Sequence, residues 1–310
     1  MISSSLQNSR PDSQPGPGGV PRRGRLTTAD GDDNLSHEQY ERLAALIYQK
    51  AGFQLGSDRQ TMLASRIQRR LKALKMTSYA EYCTYLFGIH GQREELVHMI
   101  DVVTTNKTDF FREPAHFDYL IETALPEMVA ASGGSRPLLI WSAGCSSGEE
   151  PYTLAILLSE YAEANPGFQF RILATHISTT ILEKAKKAVY TEQIIAPISM
   201  DQRRKYLMRN KNRGSDQVRV VPELRSLIEF RHLNFMDNDY GLAEKADAIF
   251  CRNVIIYFDR QTQEKILLKL SHNLVPDGYM FVGHTESLHG MNLPLAPVAP
   301  ALYRKVGRHG

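Results

Sequence analysis

Two adjacent acids, Glu149 and Glu150, follow the turn Gly144-Cys145-Ser146-Ser147-Gly148 in the stretch WSAGCSSGEEP, residues 141–151. The apolar Leu138, Leu139 and Ile140 precede it, and YTLAILL follows with helical character. A glycine-bearing turn between a strand and a helix is a natural ligand site, because the free N–H groups of the helix point out of it. A dinucleotide fingerprint needs GxGxxG so that pyrophosphate can approach the backbone. Here the spacing is GxxxG with two carboxylates at the helix mouth. Carboxylates repel phosphate there, but they suit a ligand carrying an ammonium or sulfonium charge. They also complement the helix macrodipole. That plainer reading is preferred for Glu150, and Glu149 is taken as the ligand contact.

Three further stretches end in polar residues after apolar runs. ILATH closes on His176, where nucleoside-binding α/β folds place an acid that accepts hydrogen bonds from ribose hydroxyls. A lone histidine at a strand end is ordinarily a surface residue, and only its position singles it out. HLNF ends with Asn234 and Phe235, suited to reading an adenine edge and covering its face. DAIFC runs into Arg252 and Asn253, a pair hard to explain by packing; Tyr257, in IIYF, reads equally well as core. No metal is expected: ten histidines are present without a ligand spacing, and His284 with His289 is too loose. Cys83, Cys145 and Cys251 show no CxxC and read as reduced thiols.

Positioning these groups requires a sheet. LLIWSAG, FRILATHIS, LIEFRHLNF and DAIFCRNVIIYF are strand-length runs, several of them separated by helical patterns such as EPYTLAILLSEYAEA and RQTQEKILLKLSHNL. Alternating strands and helices predict an α/β fold with a parallel sheet and right-handed crossovers. Ligands of such sheets bind beyond the carboxyl ends of the strands. GYMFVGH and ALYRKV have no comparable helix between them and are expected to pair antiparallel at the far edge.

The rest of the chain divides by texture. Residues 1–33 are rich in Ser, Pro, Gly and Arg and read as a disordered tail. Residues 34–102 read as a small all-helical domain of four helices. Ser36 and Gln39 form a capping box, Gly52 closes the first helix, and Leu63, Ile67, Leu71 and Leu74 make an apolar stripe on the second. Arg66, Arg69, Arg70, Lys72 and Lys75 lie off that stripe and offer a positive face. Residues 103–137 read as a linker, and 138–306 as the sheet domain. Between 190 and 227 too many residues lie for one crossover, so a small inserted β-subdomain is expected, with RNKNRGSD as an exposed loop.

With 310 residues, 42% hydrophobic and 23% charged, the chain can bury a full core. A formal charge of +3 excludes nucleic-acid binding as a compositional argument. No signal peptide and no membrane-spanning run is visible, so a cytosolic protein without direct membrane insertion is expected.

The four stretches, in this order, together with TTNKTDFFREPAHF and PDGYMFVGHTESL, resemble the chemotaxis receptor methyltransferases of CheR type. The similarity runs over residues 36–305, and NKTDFFRE with FCRNVIIYFD is specific as a pair. The resemblance implies a Rossmann-like S-adenosylmethionine-dependent methyltransferase sheet behind the helical domain, with a small antiparallel β-subdomain inserted. It implies S-adenosylmethionine as cofactor and S-adenosylhomocysteine as product. Cofactor contacts carried over by motif are Asn106, Thr108, Arg112, Glu149, Asn234, Phe235, Arg252 and Asn253, with Tyr257 beside the reacting methyl. Arg112 would orient a carboxylate, and His176 stands where the family usually has Asp.

Neutral histidine cannot bridge two ribose hydroxyls as a carboxylate does. The loss of a charge-assisted bond costs on the order of 1.5–3 kcal/mol, roughly ten- to a hundredfold in affinity. A working but weakened enzyme is the preferred expectation; a methyltransferase-fold protein that only binds its receptor or signalling array is the alternative. The implied reaction passes a methyl group to glutamate carboxylates in cytoplasmic domains of methyl-accepting chemoreceptors, which would recruit the protein to membrane arrays. The Arg66–Lys75 face and the RNKNRGSD loop are the candidate receptor contacts.

Overall fold

The structure, a computed structural model, describes residues 34–212 and 214–307. The tail expected over 1–33 lies outside the described residues. The first helix, α1 (His37–Ala51), opens on the Ser36–Gln39 capping box and closes on Gly52 in the left-handed region. Next come α2 (Gln60–Leu74), α3 (Tyr79–Phe87), α4 (Ile89–Glu94) and α5 (Leu96–Val103). Leu63, Ile67 and Leu71 are buried with α1, α3 and α5 in one core. The fourth helix expected from QREELVHMIDVVT is two helices, interrupted at Glu95. That carboxylate is buried, gripped by Arg70 through two bonds of 2.8 Å and by the Tyr82 hydroxyl at 3.0 Å.

A bridging segment carries α6 (Pro114–Tyr119), a π turn, and α7 (Leu125–Ser132) into the sheet. The sheet domain then runs β1 (Leu138–Ala143), α8 (Glu149–Ala164), β2 (Phe170–His176) and α9 (Thr179–Lys187). The insert follows: β3 (Val189–Thr191), α10 (Met200–Tyr206), β4 (Leu207–Arg209), β5 (Gln217–Val220) and the short α11 (Pro222–Arg225). It builds its own antiparallel sheet in the order β3-β5-β4. The main sheet resumes with β6 (Ile228–His232), β7 (Ala246–Cys251), α12 (Arg260–His272), β8 (Leu274–Val282), β9 (Leu295–Ala299) and β10 (Leu302–Lys305).

The main sheet has the order β6-β2-β1-β7-β8-β10-β9, parallel through β8. β10 pairs antiparallel with β8, as the terminal runs lead one to expect. An additional strand, β9, lies outside it. Its LAPVA sequence hides this strand, since Pro297 cannot donate to a ladder and is tolerated only at an edge. β1 and β7 are buried along their whole length, as two-faced central strands require.

The helical lobe is tied to the sheet by polar contacts. Both Asp101 carboxylate oxygens accept from α9: Oδ1 from the Thr179 amide at 2.9 Å, and Oδ2 from the Thr180 hydroxyl at 2.6 Å. Asn234 Nδ2 donates to the Lys50 carbonyl at 2.6 Å. No helix among the described residues is long and apolar enough to cross a membrane.

Candidate functional site

The chain order reverses at β1: β2 and β6 lie on one side, β7 and β8 on the other. Such a switch point opens a crevice at the strand ends. The crevice here is a cleft of about 1180 Å³, including its open mouth. Its floor comes from the loops after β1, β2, β6 and β7, and its roof from α1, the following loop, Met62 and residues 103–109. Gly144 makes the floor possible: its φ is +96°, and a Cβ there would stand 2.5 Å from Val254.

Asn106, Thr108, Arg112, His176, Asn234, Phe235, Arg252, Asn253 and Tyr257 all line this cleft. Glu149 does not; Glu150 does. Glu149 is buried behind the turn, accepting from Ser147 Oγ at 2.8 and 3.0 Å. Burial pushes its pKa up to about 6 against the pull of the Ser147 bond. Glu150 accepts from Ser142 Oγ at 2.6 Å and faces Arg252 Nη1 at 3.4 Å. The sequence reading took Glu149 as the ligand contact, whereas it is Glu150 that lines the cleft: adjacent helical positions point about 100° apart, and the text alone does not say which faces it.

Arg252 is the hub. Its side chain donates to the Arg112 carbonyl, pairs with Glu113 at 3.3 Å and stacks over Phe117 with 5.1 Å to the ring centroid. Its Nε is buried without a partner among the described residues. Asn253, at φ +55°, donates from Nδ2 to Glu113 at 3.2 Å. Glu286 accepts the amides of Gly283 at 2.6 Å, Asn253 at 2.8 Å, Ile255 at 2.8 Å and Ile256 at 3.3 Å, and so fixes the whole turn after β7. Burial raises the Glu286 carboxyl, and the four N–H groups only partly offset this. For Glu113, burial also pushes up, but Arg252, Asn253 and two histidines outweigh it and leave the group below its ordinary value. Glu113, Glu150 and Glu286 were missed as site residues. All three stand inside quoted motifs, Glu113 beside Arg112, Glu150 beside Glu149 and Glu286 in GHTESL, and that was the available signal.

His176 Nε2 lies 2.8 Å from Asn106 Oδ1. Burial depresses its pKa to about 4, so the ring is neutral at pH 7 and Nε2 donates to that amide oxygen. Nδ1 is left as an acceptor. Asn106 Nδ2 in turn donates to Thr104 Oγ1 at 3.0 Å. Asn234 has both ends of its amide engaged, Nδ2 on Lys50 and Oδ1 on the Met236 amide at 3.0 Å. It shapes the loop, and the neighbouring Phe235 amide, without a partner among the described residues, is the free donor there.

The expected basic face is smaller than its sequence implies. Arg66 turns inward and binds the carbonyls of Val103 and Thr104, the latter at 3.0 Å, fixing the roof segment. Arg70 is held by Glu95. Arg69, Lys72 and Lys75 remain exposed.

Two family models match the chain: "CheR methyltransferase, SAM binding domain" over residues 106–299 and "CheR methyltransferase, all-alpha domain" over 38–104. A chemotaxis protein methyltransferase of Borreliella burgdorferi is 36% identical over 275 residues, covering 88% of this chain and 95% of that protein. The chemotaxis protein methyltransferase 2 of Pseudomonas aeruginosa is 37% identical, covering 84% and 90%. That of Salmonella typhimurium is 38% identical, covering 83% and 86%.

Proposed function

The chain belongs to the CheR methyltransferase family and is an S-adenosylmethionine-dependent methyltransferase of chemotaxis, and from that premise we propose that its acceptor is a glutamate carboxylate in the cytoplasmic domain of a chemoreceptor. The product would be a glutamate methyl ester, formed on the cytoplasmic side at membrane receptor arrays. The observation that carries the site assignment is the unpartnered, buried Arg252 Nε beside Glu150 at the sheet's carboxyl edge. A buried donor without an acceptor is costly, and a cleft offering both a cation and a carboxylate fits a zwitterionic amino-acid group.

In the cleft, S-adenosylmethionine supplies a methyl group activated by its sulfonium sulfur. Arg252 and Arg112 would hold its carboxylate, and Glu150 its ammonium. His176 Nδ1 would accept from a ribose hydroxyl, and Phe235 would cover the base and offer it a backbone N–H. Tyr257, beside Phe53 of the roof at 6.3 Å between ring centroids, walls the place where the acceptor enters. The acceptor glutamate is ionised at pH 7, so no general base is required. Orientation under a roof that keeps water out supplies the acceleration. The exposed Arg69, Lys72 and Lys75 steer an acidic receptor helix toward the mouth.

Calorimetry with S-adenosylhomocysteine, followed by transfer of labelled methyl to a purified receptor signalling domain, tests this. Arg252→Ala should abolish cofactor binding, whereas Tyr257→Phe should lower turnover with binding retained. The label should be released by mild alkali, as an ester is. An alkali-stable label would refute carboxylate methylation, and equal binding losses in both variants would refute the division of roles.

A further inference from the structure

His116 is the least satisfied group in the described chain. It is 3% exposed, on the first turn of α6, and neither ring nitrogen makes a well-formed hydrogen bond among the described residues, although the Pro300 backbone stands close enough to the ring to favour its protonated form. Two potential ligands face it from different elements. Glu113, three residues earlier, brings Oε2 to 3.4 Å from Nδ1. His284, from the loop after β8, sets its ring at 89° with 4.7 Å between centroids. One donor atom from each of the three lies within 4.8 Å of the others. The cluster stands outside the cofactor cleft lining.

We propose that Glu113, His116 and His284 form a site for one borderline divalent ion of the Zn²⁺ type, and that its occupancy draws Glu113 away from Arg252 and loosens the cofactor cleft. Two imidazoles and a carboxylate are the donor set of such ions; hard cations want oxygens alone and Cu⁺ wants sulfur. Three protein ligands leave a fourth position open to solvent. Bond lengths of about 2.0–2.2 Å bring ligand atoms to about 3.4 Å from one another, so the site must contract. His284 is exposed, so a rotation of its side chain is the movement this contraction calls for.

Arg252 sets the consequence. It shares the same Glu113 oxygen that faces His116. A metal ion and the guanidinium therefore compete for one carboxylate. That competition keeps the affinity modest and makes the ion an inhibitor rather than a structural staple. This second half rests on the cofactor reading; the site itself does not.

The full chain, without a polyhistidine tag and stripped by chelator, is titrated with Co²⁺ while visible absorption is followed. One Co²⁺ per chain should bind with a d–d band and be displaced by equimolar Zn²⁺. His284→Ala, an exposed change that leaves the fold alone, should weaken binding by on the order of 10–100-fold. Saturating Zn²⁺ should weaken S-adenosylhomocysteine binding about tenfold in the wild type and leave His284→Ala unchanged. No band at one equivalent, or the same titration in His284→Ala, overturns the site. Unaltered S-adenosylhomocysteine affinity with the ion bound overturns the link to Arg252. Failure to bind S-adenosylhomocysteine in chelator alone counts against the cofactor reading and leaves the Co²⁺ titration standing.

Discussion

Gly148 is followed by two glutamates one helical step apart, and that step decides what each can do. Glu150 meets Arg252 across the cleft, while Glu149 is folded against Ser147. His176 is decided in the same local way, by Asn106. Its Nε2–H is committed to the amide oxygen, which leaves one acceptor for the ribose where a carboxylate would offer two. His176→Asp is expected to tighten S-adenosylhomocysteine binding by about tenfold, a charge-assisted bond regained. The gain stays at the low end because Asn106 must turn its amide and give up the bond to Thr104. Calorimetry returning the same affinity would remove His176 from the ribose subsite. At this scale the sequence was a good guide to which segments meet and a poor one to which atoms are free. Asn234 was legible as a cleft residue, but its engagement with Lys50 joins positions 184 apart in sequence and no spacing announces it.

Elements, rather than single side chains, hold the Arg252–Asn253 pair in place. The turn after β7 carries Asn253 at positive φ and opens irregularly before the single 3-10 turn Ile255–Tyr257, so its first N–H groups must find an acceptor elsewhere. Glu286, on the loop after the neighbouring strand β8, provides one oxygen pair for three of them and for the Gly283 amide of its own loop. Glu286→Gln offers a single acceptor oxygen and an NH₂ that opposes the remaining donors. The expected cost is about 2–3 kcal/mol of stability, with the cofactor's KM raised more than tenfold and kcat at saturation changed far less. A kcat loss as large as the KM change would mean that the turn acts on the acceptor instead. Strands and helices with clean periodicity were readable beforehand, and so was the odd interval that became the β3-β5-β4 sheet. β9 and the break at Glu95 were not. One hides behind an edge proline, and the other follows from a buried ion pair between α2 and the α4–α5 junction.

Across the whole molecule, buried titratable groups pull stability in opposite directions with pH. His116 and His176 are both held near pKa 4, below their ordinary 6.5. Their contribution is present above about 6.5 and is lost as pH falls toward 4. Glu149 runs the other way. Its pKa is raised from 4.5 to about 6, so its contribution is present below 4.5 and disappears as pH rises through 6. Glu149→Gln should therefore stabilise the protein at pH 7.5 by up to about 2 kcal/mol, the worth of that shift, and gain little at pH 4.5. Denaturant midpoints at the two pH values check this, and an equal gain at both would assign the effect to packing. Composition announced a large core, but it could not show that burial shifts His116, His176 and Glu149 toward their neutral forms inside it.

The ceiling of the cleft is built from residues that precede the first strand by many tens of positions, and Arg66 clips part of it in place. A fragment cut to begin at β1 would keep every hydrogen bond of the central ladder yet own half a binding surface. The boundary between two compact lobes is thus a poor place to divide this protein, because what the two halves grip together belongs to neither.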